Sequence, residues 1–330
     1  MKKIVIILMI VCLISSCSNN KESRVQLFCM DTVMDLRAYG EEGNDAVKSA
    51  EEELKHLETL FDRKSDTSDI HNINSGKEVS EETEEILKKA LEISAKTNGA
   101  FDITVSPVMD LWGFYDGNYS VPSDTDIKNA LKSVNYKNIF FNNGKINILN
   151  NAGIDLGGIA KGYASDKVID IFKDYGIKSA IINLGGNVFA LGRRSDGKMW
   201  TVAITDPYDR ENYALTLEVE DKAVITSGGY QRFFEENGKK YHHIIDPKTG
   251  YPAQSGIESV TVISSDATEA DALSTALFVM GKDKAAEFLK KNRNIDAVII
   301  TDEKKIYYTP DLSEYIKIEN NMDSGLLFDD

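Results

Sequence analysis

Asp271 and Thr275 stand four residues apart in Ala270-Asp271-Ala272-Leu273-Ser274-Thr275-Ala276, at the start of a predicted helix. At that spacing a carboxylate and a hydroxyl project from one face, one turn apart. Hard oxygens of this kind suit Mg²⁺, which takes one or two ligands from protein and the rest from water and substrate phosphate. The same pair also fits a structural role, with Asp271 capping its helix or complementing its dipole and Thr275 bonding back to its own turn. A second string, Ile154-Asp155-Leu156-Gly157-Gly158-Ile159-Ala160-Lys161-Gly162-Tyr163-Ala164, reads as strand, paired glycines and helix. Free N–H groups and the positive dipole end of such a helix favour an anion such as a pyrophosphate. A tight turn needing positive φ would explain the glycines equally well, and Lys161 lies either near the anion or in solvent. His242 and His243, two of only four histidines, precede Asp246-Pro247-Lys248-Thr249-Gly250, a β-turn signal. On an alternating strand their rings face opposite sides, so at most one enters a site.

The elements that position these groups follow from periodicity. Ala46, Ala50, Leu54, Leu57 and Phe61 recur at helical spacing with Glu51, Glu52, Glu53 and Lys55 turned away. A second helix is expected from Ser80, an N-cap type, through Ile86, Leu87, Ala90 and Leu91 to Asn98-Gly99, and a shorter one follows Ser123 over 127–134. Ile139–Phe141 and Ile146–Leu149 flank Asn142-Asn143-Gly144, a hairpin signal. The second half alternates apolar strands (180–184, 201–204, 215–219, 260–263, 297–300) with helices at 160–172, 269–280 and 284–291. Hairpins and interrupting helices together predict an α+β architecture with mixed, largely antiparallel sheets and packed helices. No repeat or Pro/Gly-rich linker divides the chain, so residues 25–320 are expected to form one unit, followed by a mobile acidic end at 321–330.

Lys2 and Lys3 precede an apolar run, Ile4–Ile14, too short to span a bilayer, which reads as a signal peptide over 1–16. The run ends in Ile14-Ser15-Ser16-Cys17, which resembles the bacterial lipobox. That resemblance implies lipidation of Cys17, a polar tether over 17–24 and a membrane-anchored lipoprotein outside the cytoplasm. Of three cysteines only Cys29 then remains as a thiol, so no disulfide framework is available. The net charge of −15 argues against nucleic acid as a partner, since no basic face is visible.

Seven strings share an order and spacing with a known family. They are Phe28-Cys29-Met30-Asp31-Thr32; Gly99-Ala100-Phe101-Asp102 continued by Val105-Ser106-Pro107 and Leu111-Trp112-Gly113-Phe114; the 154–164 string; Asn183-Leu184-Gly185-Gly186-Asn187; Thr226-Ser227-Gly228-Gly229-Tyr230; His242 to Gly250; and Ala270 to Ala276. Together they resemble the ApbE-type FAD:protein FMN transferases over nearly the whole chain. The resemblance implies an ApbE-like, T-fold-related α+β catalytic unit. It also implies Mg²⁺ held by Asp271, Thr275 and the carbonyl of Ala160, and an FAD site drawing on Met30, Ala100, Phe101, Asp102, Gly157, Lys161, His243 and Ile245. Phe101 would offer an aromatic surface and Asp102 an acceptor to ribityl, ribose or ring. Aligning Ser68-Asp69-Ile70 with the family's Ser-Glu-Leu places Lys64 where many members carry an aromatic residue that stacks on the flavin. Asp31 replaces a family glycine, within what reads as a strand. By the family pattern His243 is the site histidine, either taking the proton of an attacking hydroxyl or hydrogen-bonding phosphate.

The reaction so implied is attack by a Thr or Ser hydroxyl of a target protein on the FMN-side phosphorus of FAD, giving protein-bound FMN and AMP. Targets would be flavin-accepting subunits of membrane or exported redox systems. A Mg²⁺-dependent FAD pyrophosphatase uses the same groups with water as acceptor. A lipid-anchored flavin- or solute-binding protein without chemistry is the remaining reading, and a metal triad argues against it.

Overall fold

The computed structural model describes residues 21–74, 78–142, 145–319 and 322–329. The expected signal peptide, Cys17 and the first part of the tether lie outside them. Strands β1 (Glu22–Cys29) and β2 (Thr32–Tyr39) form a hairpin and are followed by helices α1 (Gly43–Phe61), α2 (Asp69–Asn74), α3 (Glu81–Lys96), α4 (Ser106–Leu111) and α5 (Asp124–Ala130). A small hairpin, β3 (Ile139–Asn142) and β4 (Lys145–Ile148), leads to α6 (Ala160–Asp174). Then come β5 (Ser179–Leu184), β6 (Asn187–Gly192), β7 (Trp200–Thr205), β8 (Tyr213–Val219), β9 (Lys222–Gly228), β10 (Phe233–Glu236), β11 (Lys239–His242) and β12 (Ile257–Ser264). Helices α7 (Ala267–Met280) and α8 (Lys282–Lys291) precede β13 (Asp296–Thr301), β14 (Lys305–Tyr308), β15 (Ile316–Ile318) and β16 (Asp323–Leu326).

The main sheet has nine strands in the order β1-β2-β5-β6-β9-β12-β13-β14-β16, antiparallel at every pairing except β14 with β16. The α+β expectation therefore holds, and short hairpin connections are what make it so. Alternation along the strands splits the core. Ala223 and Ile225 of β9 and Phe189 of β6 face the helices, whereas Val224 and Ala190 face the small β15-β8-β7 sheet. The helix face carries α1, α6 and α7. The residues of α1 read as apolar at helical spacing, Ala46, Ala50, Leu54, Leu57 and Phe61, are all buried. Ser80 caps α3 by accepting from the Thr83 amide at 3.2 Å, and Asn98 and Gly99 end it at φ 51° and 71°. Ser123 likewise caps α5.

Three boundaries differ from the sequence expectation. β1 begins at Glu22, paired with Tyr39, so the tether cannot run free to Arg24. Met30 and Asp31 do not lie in a strand. They are the two-residue turn of the β1–β2 hairpin, at φ 52° and 58°, and mirror-image turns of this kind are what the right-handed twist of paired strands requires. Asp enters that region more readily than most side chains, which is compatible with Asp31 where the family pattern has glycine. The acidic end is not a mobile tail either: β16 pairs in parallel with β14, and Leu327 and Phe328 are buried against the core. Two apolar side chains outweigh the local charge because they cover α8 and the sheet edge.

Candidate active site

The first turn of α6 and the first half of α7 are bonded to each other. The Gly162 amide donates to Asp271 Oδ2 at 2.9 Å. In return Asp166 of α6 accepts from the Ala267 and Thr268 amides at 2.9 and 2.8 Å and from the Thr268 hydroxyl at 2.6 Å. Burial pushes the Asp166 carboxyl up in pKa, and these three donors oppose the shift. Close approach requires glycine here: a Cβ on Gly162 would stand 2.3 Å from the Ala267 carbonyl oxygen and 2.7 Å from the Asp271 Cβ. Asp271 does not cap its own helix, because Asp266 does so by accepting from the Glu269 amide at 2.7 Å. The buried Asp271 carboxylate has no ion pair, and Oδ1 has no hydrogen bond, among the described residues.

Thr275 lies one turn further along α7, half-buried, its hydroxyl 3.2 Å from Ser227 Oγ of β9. It also sits beside Gly158, where an added Cβ would be 3.5 Å from Thr275 Oγ1 and 3.2 Å from Phe101 Cε2. Neither Gly157 nor Gly158 has positive φ, so the pair serves close packing against Phe101 and Thr275, not a left-handed turn. The fold thus gathers Phe101, Gly158, Ala160 at the head of α6, Asp271 and Thr275. Among the described residues no group of three or more His, Cys, Asp or Glu side chains is assembled as a metal cage. One unpaired buried carboxylate with hydroxyl and carbonyl oxygens is nevertheless the donor set Mg²⁺ accepts when phosphates and water complete its shell.

Several amides of the glycine turn are already used. Gly157 donates to Asp155 Oδ1 at 2.8 Å, and Ile159 and Ala160 donate to the Leu156 carbonyl. With Gly162 committed to Asp271, the amides of Gly158 and Lys161 are the ones without a protein acceptor among the described residues. The Lys161 ammonium has no ion pair among them and acts electrostatically on His243. An anion at this turn would therefore meet two amides and one ammonium, fewer groups than the string alone suggests.

The two histidines separate as expected. His242 Nδ1 accepts from the Ile244 amide at 3.3 Å, so Nε2 carries the hydrogen and donates to the Ala253 carbonyl at 3.0 Å. Both nitrogens are spent, and the ring packs on Phe278. His243 Nδ1 is 3.0 Å from the Arg232 carbonyl, which can only accept, so Nδ1 is the protonated nitrogen and Nε2 keeps a lone pair. Desolvation first, and then neighbouring His242, Arg232 and Lys161, push the His243 pKa down to about 4 against the opposing bond to the Arg232 carbonyl, so the ring is neutral at physiological pH.

The remaining expected residues divide. Ala100 is buried in the core beside Phe101. Asp102 does not present a free carboxylate: Oδ1 accepts from the Thr104 amide (2.8 Å) and hydroxyl (2.6 Å), and Oδ2 accepts from the Tyr136 amide (2.8 Å). Its role in the fold is to lock two loops. Ile245 is buried with Trp112, Phe114 and Val108, so its side chain is core. Met30 donates its amide to Glu58 Oε1 at 2.7 Å. Lys64 stands beside that turn, with Nζ 3.7 Å from Asp31 Oδ2 and 5.5 Å from the Tyr115 ring centre. Arg63, not singled out from the sequence, covers the same ring at 4.1 Å and pairs with Asp110 and Asp155. Asp155 in turn takes the Gly157 amide, so one carboxylate ties the Lys64 loop to the glycine turn. Asp166, Arg63 and Ser227 were missed as site-forming residues, because only tertiary contact distinguishes them from surface or strand residues.

Comparison with known proteins places the chain in a family. The ApbE family model matches residues 30–299. The FAD:protein FMN transferase of Treponema pallidum is 30% identical over 347 residues, covering 96% of this chain and 95% of that protein. The FAD:protein FMN transferase of Escherichia coli K12 is 34% identical over 254 residues, covering 74% and 72%. Among solved structures, the ApbE protein of Thermotoga maritima superposes with a TM-score of 0.84 at 34% identity, covering 89% of this chain and 99% of that one. The flavin transferase ApbE of Vibrio cholerae superposes with a TM-score of 0.80 at 26% identity and the same coverage. The matched span contains helices α6 and α7 and the His243 segment, and this chain belongs to the ApbE family.

Proposed function

We propose that this protein is an FAD:protein FMN transferase, moving FMN from FAD to a Thr or Ser hydroxyl of a target protein with release of AMP. The observation that carries the reading is the meeting of the α6 turn with Asp271 and Thr275, beside Lys161 and a neutral His243. Asp271, Thr275 and the Ala160 carbonyl would hold Mg²⁺, which when bound would neutralise pyrophosphate charge. The Gly158 and Lys161 amides and the Lys161 ammonium would orient the pyrophosphate. His243 Nε2 would take the acceptor hydroxyl's proton as that oxygen bonds to the FMN-side phosphorus. The bond from this phosphorus to the bridging oxygen breaks, and AMP leaves with that oxygen. With Nδ1–H engaged by a carbonyl, a neutral His243 has a lone pair and no proton to offer at Nε2, which supports the base role over hydrogen bonding to phosphate.

The anchoring at Cys17, the location outside the cytoplasm and the targets, flavin-accepting subunits of membrane or exported redox proteins, belong to the same proposal and rest on residues 1–17. Incubating the protein with FAD, Mg²⁺ and an acceptor peptide, followed by mass analysis, tests it. An adduct of one FMN on the peptide supports transfer. FMN and AMP without an adduct would mean a pyrophosphatase, and unchanged FAD a flavin-binding protein.

A further inference from the structure

Three hydroxyls connect the candidate metal ligands in a chain whose hydrogens can be placed by counting. Ser274 Oγ lies 2.8 Å from the main-chain carbonyl of Asp271, which can only accept, so Ser274 spends its single hydrogen there. Ser227 Oγ is 2.8 Å from Ser274 Oγ and 3.2 Å from Thr275 Oγ1. Since Ser274 has no second hydrogen, Ser227 must donate to it. Ser227 then has none left, so Thr275 must donate to Ser227. The order is Thr275 to Ser227 to Ser274 to the Asp271 carbonyl.

A neutral hydroxyl binds a cation through an oxygen lone pair with its hydrogen turned away. We propose that Ser227 is a positioning residue that imposes this orientation on Thr275 before any cation arrives. By accepting the Thr275 hydrogen, Ser227 on β9 leaves the Oγ1 lone pairs available on the side away from the strand. Ser274 keeps the direction from reversing, because it occupies the only hydrogen Ser227 could turn toward Thr275. The inference rests on the reading of Asp271 and Thr275 as cation ligands, and it adds a residue from the sheet that touches neither substrate nor metal. Ser227 can act in this way because β9 turns its odd-numbered residues to the helix face, where α7 lies.

The test is direct binding of Mn²⁺, a paramagnetic substitute for Mg²⁺, to the purified full chain, followed by loss of the free-ion EPR signal without turnover. Ser227→Ala should weaken Mn²⁺ binding about fivefold, the scale of one neutral hydrogen bond. FAD affinity in EDTA and melting temperature in EDTA should stay near the native values, and Ser227→Thr should restore the metal affinity. Ser274→Ala should also weaken Mn²⁺ binding, since Ser227 is then free to donate to Thr275 and compete for its lone pair. The double variant should be no worse than Ser227→Ala alone, because the two residues act through one bond. Native Mn²⁺ affinity in Ser227→Ala would overturn the proposal. If Asp271→Asn loses Mn²⁺ while Ser227→Ala keeps it, the ordered chain alone is wrong. If the native chain binds no Mn²⁺, or Asp271→Asn binds it normally, the metal reading fails and this inference goes with it.

Discussion

Asp271 Oδ2 accepts the main-chain amide of Gly162 at 2.9 Å, joining α7 to the first turn of α6. Asp166 returns the contact by capping α7, so each helix satisfies amides at the other's start. Orphan N–H groups in a first turn are costly when buried, and here a carboxylate supplied across the interface removes that cost. The relative placement of Ala160, Asp271 and Thr275 is therefore set by the helix pair and not by a loop.

Gly162→Ala tests this packing. The new methyl would lie 2.3 Å from the Ala267 carbonyl oxygen, and backbone must move to admit it. We expect a loss of about 2 kcal/mol in unfolding free energy, with a larger proportional loss of Mg²⁺-dependent transfer. Denaturant unfolding checks the first and the peptide assay the second. Native stability would show that the helices separate at no cost.

Asp271→Asn separates a metal ligand from a structural acceptor. The amide oxygen can still accept from Gly162, and Asp266 still caps α7, so stability should change by less than about 1 kcal/mol. Transfer should fall at least about a hundredfold, because the charge that would hold the cation is gone. Thr275→Val should follow in milder form, since water can replace one neutral oxygen. Near-normal transfer by Asp271→Asn at physiological Mg²⁺ would remove the metal assignment.

His243 gives a pH prediction with a definite sign. Its pKa is about 4 in the folded chain against 6.5 ordinarily, so the unfolded chain takes up the proton first as pH falls. Its contribution to stability is full above pH 6.5 and is lost progressively between 6.5 and about 4. The base stays unprotonated through the neutral range, so the acid limb that it sets in the transfer rate should lie at about 4 and not at 6.5. His243→Ala should lower the rate about a hundredfold or more while FAD binding is retained. A limb at 6.5 in the native enzyme would contradict the half-buried, neutral imidazole.

Lys64→Tyr should tighten FAD binding by about 1 kcal/mol, the scale of one added aromatic contact. Little is lost in exchange, because the Lys64–Asp31 pair is 3.7 Å long with Asp31 largely exposed, and such pairs contribute little. Calorimetry with FAD decides it. Unchanged or weaker binding would mean that Lys64 is not beside the flavin or acts on its phosphates.

Cys17→Ser should release the protein from the membrane fraction if Cys17 carries the acyl anchor. Fractionation followed by immunoblotting reads this directly. A variant that stays membrane-bound, with no unprocessed form accumulating, would refute the lipoprotein reading.

The sequence alone determined what repeats at short range. Apolar spacing sets α1, the Ser80 and Ser123 caps are chemically local, and the Asp246 turn follows from its own residues. The strings around Ala160, His243 and Asp271 were likewise sufficient to identify the family, because residue type and order survive without coordinates. Tertiary structure decided what depends on distant partners. Asp271 is not a cap because Asp266 stands where the cap must be, and its true partner is 109 residues away. Asp102 reads as a free acceptor in the sequence, yet the Tyr136 amide engages its second oxygen. The Met30–Asp31 turn and the docked β16 depended on strand pairing, which short apolar or acidic runs do not specify by themselves. The roles of Gly162, Asp166 and Ser227 arise only where α6, α7 and β9 meet, since a glycine, a carboxylate and a hydroxyl acquire a function from what lies within 3 Å or so of them.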